Sequence, residues 1–284
     1  MFLSQTVADL LRHAEGDIEI LVGFDGPPYP VLPNDPHVRR FERAYEGLYP
    51  TLNALATEAR GEWLFKVDAH CSFSPGYDVE MANAMQPNWL MTPRFYVLNP
   101  DQWEHQDNRF YDYFKLCCPL TDKRSYRFQA AGHWPERTQE RIGIGPIDDT
   151  MQMHGSAWMV QREFFLNEIG GMESMGYGNM FMEPPQLCLK YWLGPWDGKC
   201  VVNKSAHYAH AHKGGKLPRG YGISMREVRR AYNWTANYWM RNAWPEAVHP
   251  LAWLIERFWP ILGWPEDWQA QQAEYERTHA WSPV

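Results

Sequence analysis

Apolar positions along this chain alternate between two periods, and their order predicts an α/β fold. Residues Ser4 to His13 carry Val7, Leu10 and Leu11 at helical spacing. The apolar run Ile18 to Phe24 then predicts a buried strand, stopped by Asp25-Gly26-Pro27-Pro28 and a proline-rich loop reaching Pro36. A second helix is expected over Leu48 to Ala59, with Pro50 near its start and Arg60-Gly61 closing it. The run Glu62-Trp63-Leu64-Phe65-Lys66-Val67 predicts a strand that ends in Asp68-Ala69-His70, and Asn88 to Val97 predicts another. This alternation implies a largely parallel sheet. From Leu98 to Thr150 the periodicity fades, and the segment is expected as a long excursion over the active face. Strand character returns at Met153 to Val160, helix at Arg162 to Ile169 and Pro184 to Trp192, and a short strand at Cys200 to Val202. Beyond Gly222 the pattern predicts helices punctuated by Trp-Pro pairs. The expected organisation is an α/β domain over 1–215 and a helical, Trp-rich extension over 216–284 packed on it.

The abrupt end of the Asp68 strand carries the first chemical signal. In extended backbone, residues i and i+2 point to one side, so Asp68 and His70 can converge on one ion. A carboxylate oxygen with an imidazole nitrogen suits Mn²⁺ or a similar divalent cation. The plain alternative is an aspartate capping the next turn beside a hydrogen-bonded histidine. A second signal is the cluster His207, His210 and His212, shortly after the Cys200 strand. His210 and His212 share a face in extended backbone and His207 lies opposite, so His210 and His212 are competing ligand candidates. Glu183, ahead of Pro184-Pro185, reads by itself as a helix-start acid near backbone amides.

Composition narrows the function classes. A net charge of -7 over 284 residues argues against a wholly basic nucleic-acid wrapper. A local basic groove is compatible with it: Lys213, Lys216, Arg219, Arg226, Arg229 and Arg230 stand against Glu227 alone between Lys213 and Arg230. The five cysteines are odd in number and form no C-x-x-C pair, so neither a disulfide framework nor a cysteine zinc site is suggested and a reducing cytoplasm is expected. No leader or apolar run long enough to span a membrane is evident. Fifteen tryptophans, many in polar, Pro-containing surroundings, suit stacking in a cleft as well as packing at the core edge.

With these elements in order, the chain resembles GT-A-type nucleotide-sugar glycosyltransferases, and in particular the polypeptide N-acetylgalactosaminyltransferases and related bacterial and phage enzymes. Glu46-Gly47-Leu48, a helix, Ala59-Arg60-Gly61-Glu62, then Val67-Asp68-Ala69-His70-Cys71 follow that family's spacing. The match runs from about Glu19 to Lys213. The resemblance implies a mixed, Rossmann-like sheet flanked by helices and a UDP-sugar donor bound with Mn²⁺ or Mg²⁺. It implies Asp68, His70 and His210 as metal ligands and Asp25 as a contact to the uracil or ribose. Gly155 and Ser156 match the backbone segment approaching the transferred sugar, and Glu183 the active-site acid. Trp192 matches an aromatic on the following helix, and Lys213 follows the last ligand.

Three departures stand out. Pro50 and Leu52 replace family arginines on the helix after Gly47, so the diphosphate must be neutralised from elsewhere. Pro184 follows Glu183 where the family has Asn or Asp. The family's first strand would precede the helix at Ser4, so a substitute strand or an imperfect donor pocket is expected.

The function expected is therefore metal-dependent transfer of a sugar from a UDP-sugar to a hydroxyl. The basic stretch beside the site makes 5-hydroxymethylcytosine or another 5-hydroxymethylpyrimidine in phage-type DNA the preferred acceptor. A polysaccharide or protein hydroxyl is the alternative acceptor. A metal-dependent hydrolase built on the Asp/His cluster, or a weak sugar- or nucleotide-binding protein, are alternative activities.

Overall fold

The structure, a computed structural model, describes residues 2–27, 30–121, 126–128, 132–212, 222 and 224–283. The first helix, α1 (Leu3–His13), buries Val7 and Leu10 and ends at Ala14 in extended backbone. It is followed by β1 (Ile20–Asp25), β2 (Val38–Arg43), α2 (Leu48–Glu58), β3 (Trp63–Val67), β4 (Cys71–Phe73), α3 (Tyr77–Ala84) and β5 (Trp89–Asn99). The stretch expected as an irregular excursion instead carries β6 (Glu104–Tyr111), β7 (Phe114–Lys115), β8 (Gly132–His133), α4 (Pro135–Glu140) and β9 (Ile147–Asp149). Then come β10 (Ala157–Gln161), α5 (Arg162–Asn167), α6 (Glu183–Leu193), β11 (Lys199–His210), α7 (Met225–Met240), α8 (Leu251–Arg257) and α9 (Trp268–Thr278).

The main sheet runs β3-β10-β5-β11-β4, with β6 pairing β5 and β9 pairing β11. It is mixed, but the largely parallel sheet expected from the alternation is not what forms. Among the described residues only β11 and β5 pair in parallel there, and β10 lies antiparallel to both β3 and β5. Strand β11 is far longer than the short Cys200–Val202 strand expected. A bulge between Asn203 and His207 interrupts its register, after which Tyr208 to His210 pair again with β5 and β4. The bulge hides the second half of the strand from periodicity and delivers the histidine cluster to the sheet's end.

Strands β1 and β2 pair in parallel, apart from the main sheet. Ile18 to Leu21 line one side of a cavity of about 450 Å³, and Gly61 to Val67 line another. Leu52 and Leu55 of α2 and Tyr77 and Val79 of α3 also line it. Among the described residues β1 pairs only with β2, and no strand bridges it to β3 across this cavity.

Helix α6 is buried along its whole length, consistent with prolines at its first turn, where the missing N–H costs nothing. It packs on β11 and against α8. Trp239 of α7 and Leu254 of α8 share one apolar cluster with Leu187 of α6, Trp158 of β10 and Leu90 of β5. Trp158, Trp192, Trp239, Trp244, Trp264 and Trp268 are all buried there, so these rings pack the core. Among the described residues no helix is long and apolar enough to cross a membrane.

Candidate metal centre and its surroundings

Strand β3 ends at Val67, and Asp68 adds one more rung by donating its N–H to the Ser156 carbonyl at 2.8 Å. Ala69 and His70 then form a turn rather than continuing the strand. Convergence of Asp68 and His70 therefore comes from the turn, not from the pleat. The His70 carbonyl accepts the Ala211 N–H at 3.0 Å, and this bond ties the turn to the segment just past β11. His210 thus arrives beside the pair. Its Nε2 lies 3.3 Å from Asp68 Oδ2, His70 Nε2 lies 3.8 Å from the same oxygen, and the two rings are 4.5 Å apart. His207 projects elsewhere, against Tyr96 and His105, as the alternation along the strand requires.

The donor set fits a divalent cation. One ligand atom each from Asp68, His70 and His210 lies within 4.8 Å of the others. Cis ligands at about 2.1 Å around an octahedral ion sit about 3 Å apart, close to the two shorter separations. His210 is buried, and neither of its ring nitrogens makes a hydrogen bond of regular geometry. A buried imidazole so poorly satisfied is unusual in a folded interior and suits a site that takes a ligand. Burial pushes the Asp68 carboxyl up, but the Lys66 ammonium and the His210 and His70 rings outweigh it and hold it well below the usual carboxylate range. Asp68 is accordingly anionic at neutral pH, as a metal ligand must be.

Lys66, which sequence reasoning passed over, links this centre to the acid. Its ammonium donates to Asp68 Oδ1 at 2.6 Å and to the Gly155 carbonyl at 2.6 Å, and Glu183 Oε1 lies 3.8 Å away. The signal was present: a lysine inside an apolar run, two residues before Asp68 and so on the same face. Glu183 is the first residue of α6 and is 5% exposed. Burial raises its pKa above the ordinary glutamate range, against the lowering effect of Lys66. Lys66 itself stays charged because Asp68 and Glu183 more than offset its desolvation.

Ser156 is buried, with Oγ 2.6 Å from His154 Nδ1 and 2.9 Å from the Tyr208 hydroxyl. His154, a second residue missed from the sequence, brings a further imidazole to within 5.3 Å of the His210 ring. Burial, reinforced by His210 and His212, holds His154 well below the usual imidazole range. Partial desolvation of its ring where it faces the cluster, with His210 and His133 nearby, pushes His212 down to about 4 although the residue as a whole is exposed, so both rings are neutral near pH 7.

The remaining sequence-derived residues are placed variously. Asp25 ends β1, and its carboxylate accepts the Glu46 N–H at 2.7 Å and the Gly47 N–H at 3.0 Å, anchoring the start of α2. Gly47 sits at φ 100°, a backbone conformation that favours glycine. The structure does not bring Trp192 to the metal centre. Its indole N–H donates to the Thr150 carbonyl at 3.2 Å, its ring meets Phe258 edge-on in the core, and only 3% of it is exposed. Lys213, Lys216 and Arg219 lie outside the described residues. Arg226, Arg229 and Arg230 are exposed on α7, whose N-terminus is capped by Ser224 Oγ accepting from the Glu227 N–H.

The mixed sheet flanked by helices is that of a GT-A fold. The particular likeness is to a crystal structure of GalNAc-T7 with UDP, GalNAc and Mn²⁺, with a TM-score of 0.61 at 17% identity. The match covers 85% of this chain and 46% of that one, so the chain spans about half the length of the protein it matches. No protein-family model and no curated protein matches the sequence.

Proposed function

We propose that the protein is a metal-dependent glycosyltransferase that moves a sugar from a UDP-sugar donor to a hydroxyl acceptor. The observation that carries this reading is the convergence of Asp68, His70 and His210 beside the buried Lys66–Glu183 pair, within a GT-A fold. GalNAc-T7, which shares the fold, holds UDP, GalNAc and Mn²⁺ in its crystal structure, and this supports the same class of donor and cation here.

Asp68, His70 and His210 would hold the cation, which supplies Lewis acidity for the charge that builds on the departing diphosphate. Lys66 fixes the Asp68 carboxylate through Oδ1 and leaves Oδ2 facing the two imidazoles. The same ammonium holds the Gly155 carbonyl, and so sets the Gly155-Ser156 backbone as one wall for the transferred sugar. Glu183 lies over that wall, since a Cβ on Gly155 would come within 3.8 Å of the Glu183 Cβ. Its raised pKa makes it a stronger base than an exposed glutamate, suited to accepting the acceptor's proton or stabilising an oxocarbenium-like centre. Asp25, at the end of β1, is assigned to the nucleoside and Lys213 to the diphosphate. Trp192, itself on α6, anchors that helix in the core.

The preferred acceptor is a 5-hydroxymethylpyrimidine in DNA. Arg226, Arg229 and Arg230 support it, because spacings of three and four residues place exposed guanidinia along one face of α7. The test is incubation with a panel of UDP-sugars and Mn²⁺, followed by mass spectrometry of DNA with and without 5-hydroxymethylcytosine. A one-sugar mass gain confined to hydroxymethylated DNA is expected. A gain on polysaccharide or protein alone moves the acceptor, UDP release without any acceptor gain indicates a hydrolase, and no UDP release from any donor overturns the assignment.

A further inference from the structure

Two donor sets in this site share one ring. His154, His210 and His212 each offer a ligand atom within 4.8 Å of the others, and so do Asp68, His70 and His210. In the first set the ring centres lie 5.3 Å (His154–His210), 5.1 Å (His210–His212) and 5.8 Å (His154–His212) apart. The rings come from two elements: His210 and His212 from the end of β11 and just beyond, His154 from the segment before β10. Ser156, itself held by Tyr208, engages Nδ1 of His154 and fixes that ring's orientation. Phe95 of β5 packs against all three imidazoles, with centroids at 4.8, 6.3 and 5.6 Å, and so forms an apolar wall.

The chemistry of the two sets differs. Three imidazoles without a carboxylate suit Zn²⁺ and related borderline cations, in the three-histidine arrangement that leaves a fourth position open. A carboxylate with two imidazoles accommodates Mn²⁺, and the affinity order places Mn²⁺ far below Zn²⁺ at any nitrogen-rich site. A neutral imidazole carries a proton on one nitrogen and offers a lone pair on the other. His210 can therefore serve only one of the two sets at a time.

We propose that His154, His210 and His212 form a second, all-imidazole cation position selective for Zn²⁺, which competes with the Asp68/His70/His210 position for His210. The proposal rests on the reading of that latter set as the Mn²⁺ position. Zinc bound at the second position withdraws one ligand from the first, so trace Zn²⁺ acts as an inhibitor of the Mn²⁺-loaded protein.

The test uses the full chain freed of metal. Zn²⁺ affinity is measured by chelator competition, Mn²⁺ affinity by electron paramagnetic resonance, and site geometry by Co²⁺ visible absorption. His212 is exposed, so its replacement spares the core, and circular dichroism of His212→Ala and His212→Gln checks folding. Both variants are expected to lose more than about 100-fold in Zn²⁺ affinity, beyond what removal of an outer-shell partner costs, with Mn²⁺ affinity retained. Both should also lose the intense visible bands of tetrahedral Co²⁺. Asp68→Ala is expected to do the reverse, losing Mn²⁺ and keeping Zn²⁺, and in the wild type added Zn²⁺ should raise the apparent Kd for Mn²⁺. Zn²⁺ binding that survives both His212 variants, or that disappears with Asp68→Ala, overturns the second position. Mn²⁺ binding indifferent to Asp68→Ala overturns the first position and with it the competition.

Discussion

At the scale of single residues, the centre depends on how two buried charges, Lys66 and Glu183, and the half-buried Asp68 carboxylate are balanced. Lys66 stands between Asp68 and Glu183, and removing its ammonium would leave the buried Glu183 carboxylate without its counter-charge and Asp68 with only the two imidazoles. Lys66→Met is expected to cost about 3–5 kcal/mol in urea denaturation, the usual penalty for breaking a buried pair. Adding Glu183→Gln to that variant should recover part of the loss, because one of the stranded charges is then gone. Glu183 taken alone carries the opposite sign. Its folded pKa lies above the unfolded value, so the ionised form is disfavoured in the fold, and stability falls as pH rises through the folded pKa. In the metal-free protein, Glu183→Gln should therefore raise Tm at neutral pH, with the difference from wild type vanishing below the unfolded pKa near 4.5. A Tm difference that stays constant with pH would remove the linkage. That Asp68, His70 and His210 come together was expected, the first two from their spacing and the third from the family resemblance. Lys66 and His154 were not singled out: one sits in an apolar run, and the other is a lone histidine beside Gly155, and only packing makes them partners.

At the scale of elements, the strands that escaped sequence reading are those without a clean apolar period. Strand β6 reads Glu-His-Gln-Asp-Asn-Arg-Phe-Tyr and is largely exposed, so its pairing with β5 leaves no hydrophobic trace. Strand β2 is polar for the same reason, with none of its residues fully buried. The bulge in β11 breaks a twelve-residue strand into a legible apolar half and a second half that reads as a histidine-rich loop. The β1–α2 packing is tight at Gly23, where an added Cβ would meet Thr51 Cγ2 at 2.8 Å and Leu55 Cδ1 at 2.9 Å. Gly23→Ala is expected to destabilise by about 1–3 kcal/mol by thermal or chemical unfolding, the range for overpacking a filled interior. On α7, the proposed DNA role makes a separate forecast. Replacing Arg226, Arg229 and Arg230 with Ala should shrink the salt dependence of duplex binding by about 0.9 in log–log slope for each phosphate no longer neutralised. An unchanged slope would move DNA binding away from this helix.

At the scale of the whole molecule, the acidic net charge and the numerous tryptophans turn out to have separate uses. The buried rings of Trp239, Trp244, Trp264 and Trp268 fasten the C-terminal helices to the same apolar cluster that carries α6. Most of the charge is left to the surface, while the centre keeps its own balance of Lys66 against Asp68 and Glu183. A fold assembled this way should be coupled to its ligands, since a cation and a nucleotide that bind only the folded form raise its stability by mass action. The measurement closest to the central claim is the Tm of the full chain with UDP, with Mn²⁺ and with both. UDP should raise Tm only when Mn²⁺ is present, and the rise should be absent in Asp68→Ala and in His210→Ala. Equal stabilisation by UDP without Mn²⁺, or a full response in both variants, would contradict a cation-dependent nucleotide-sugar site at Asp68, His70 and His210.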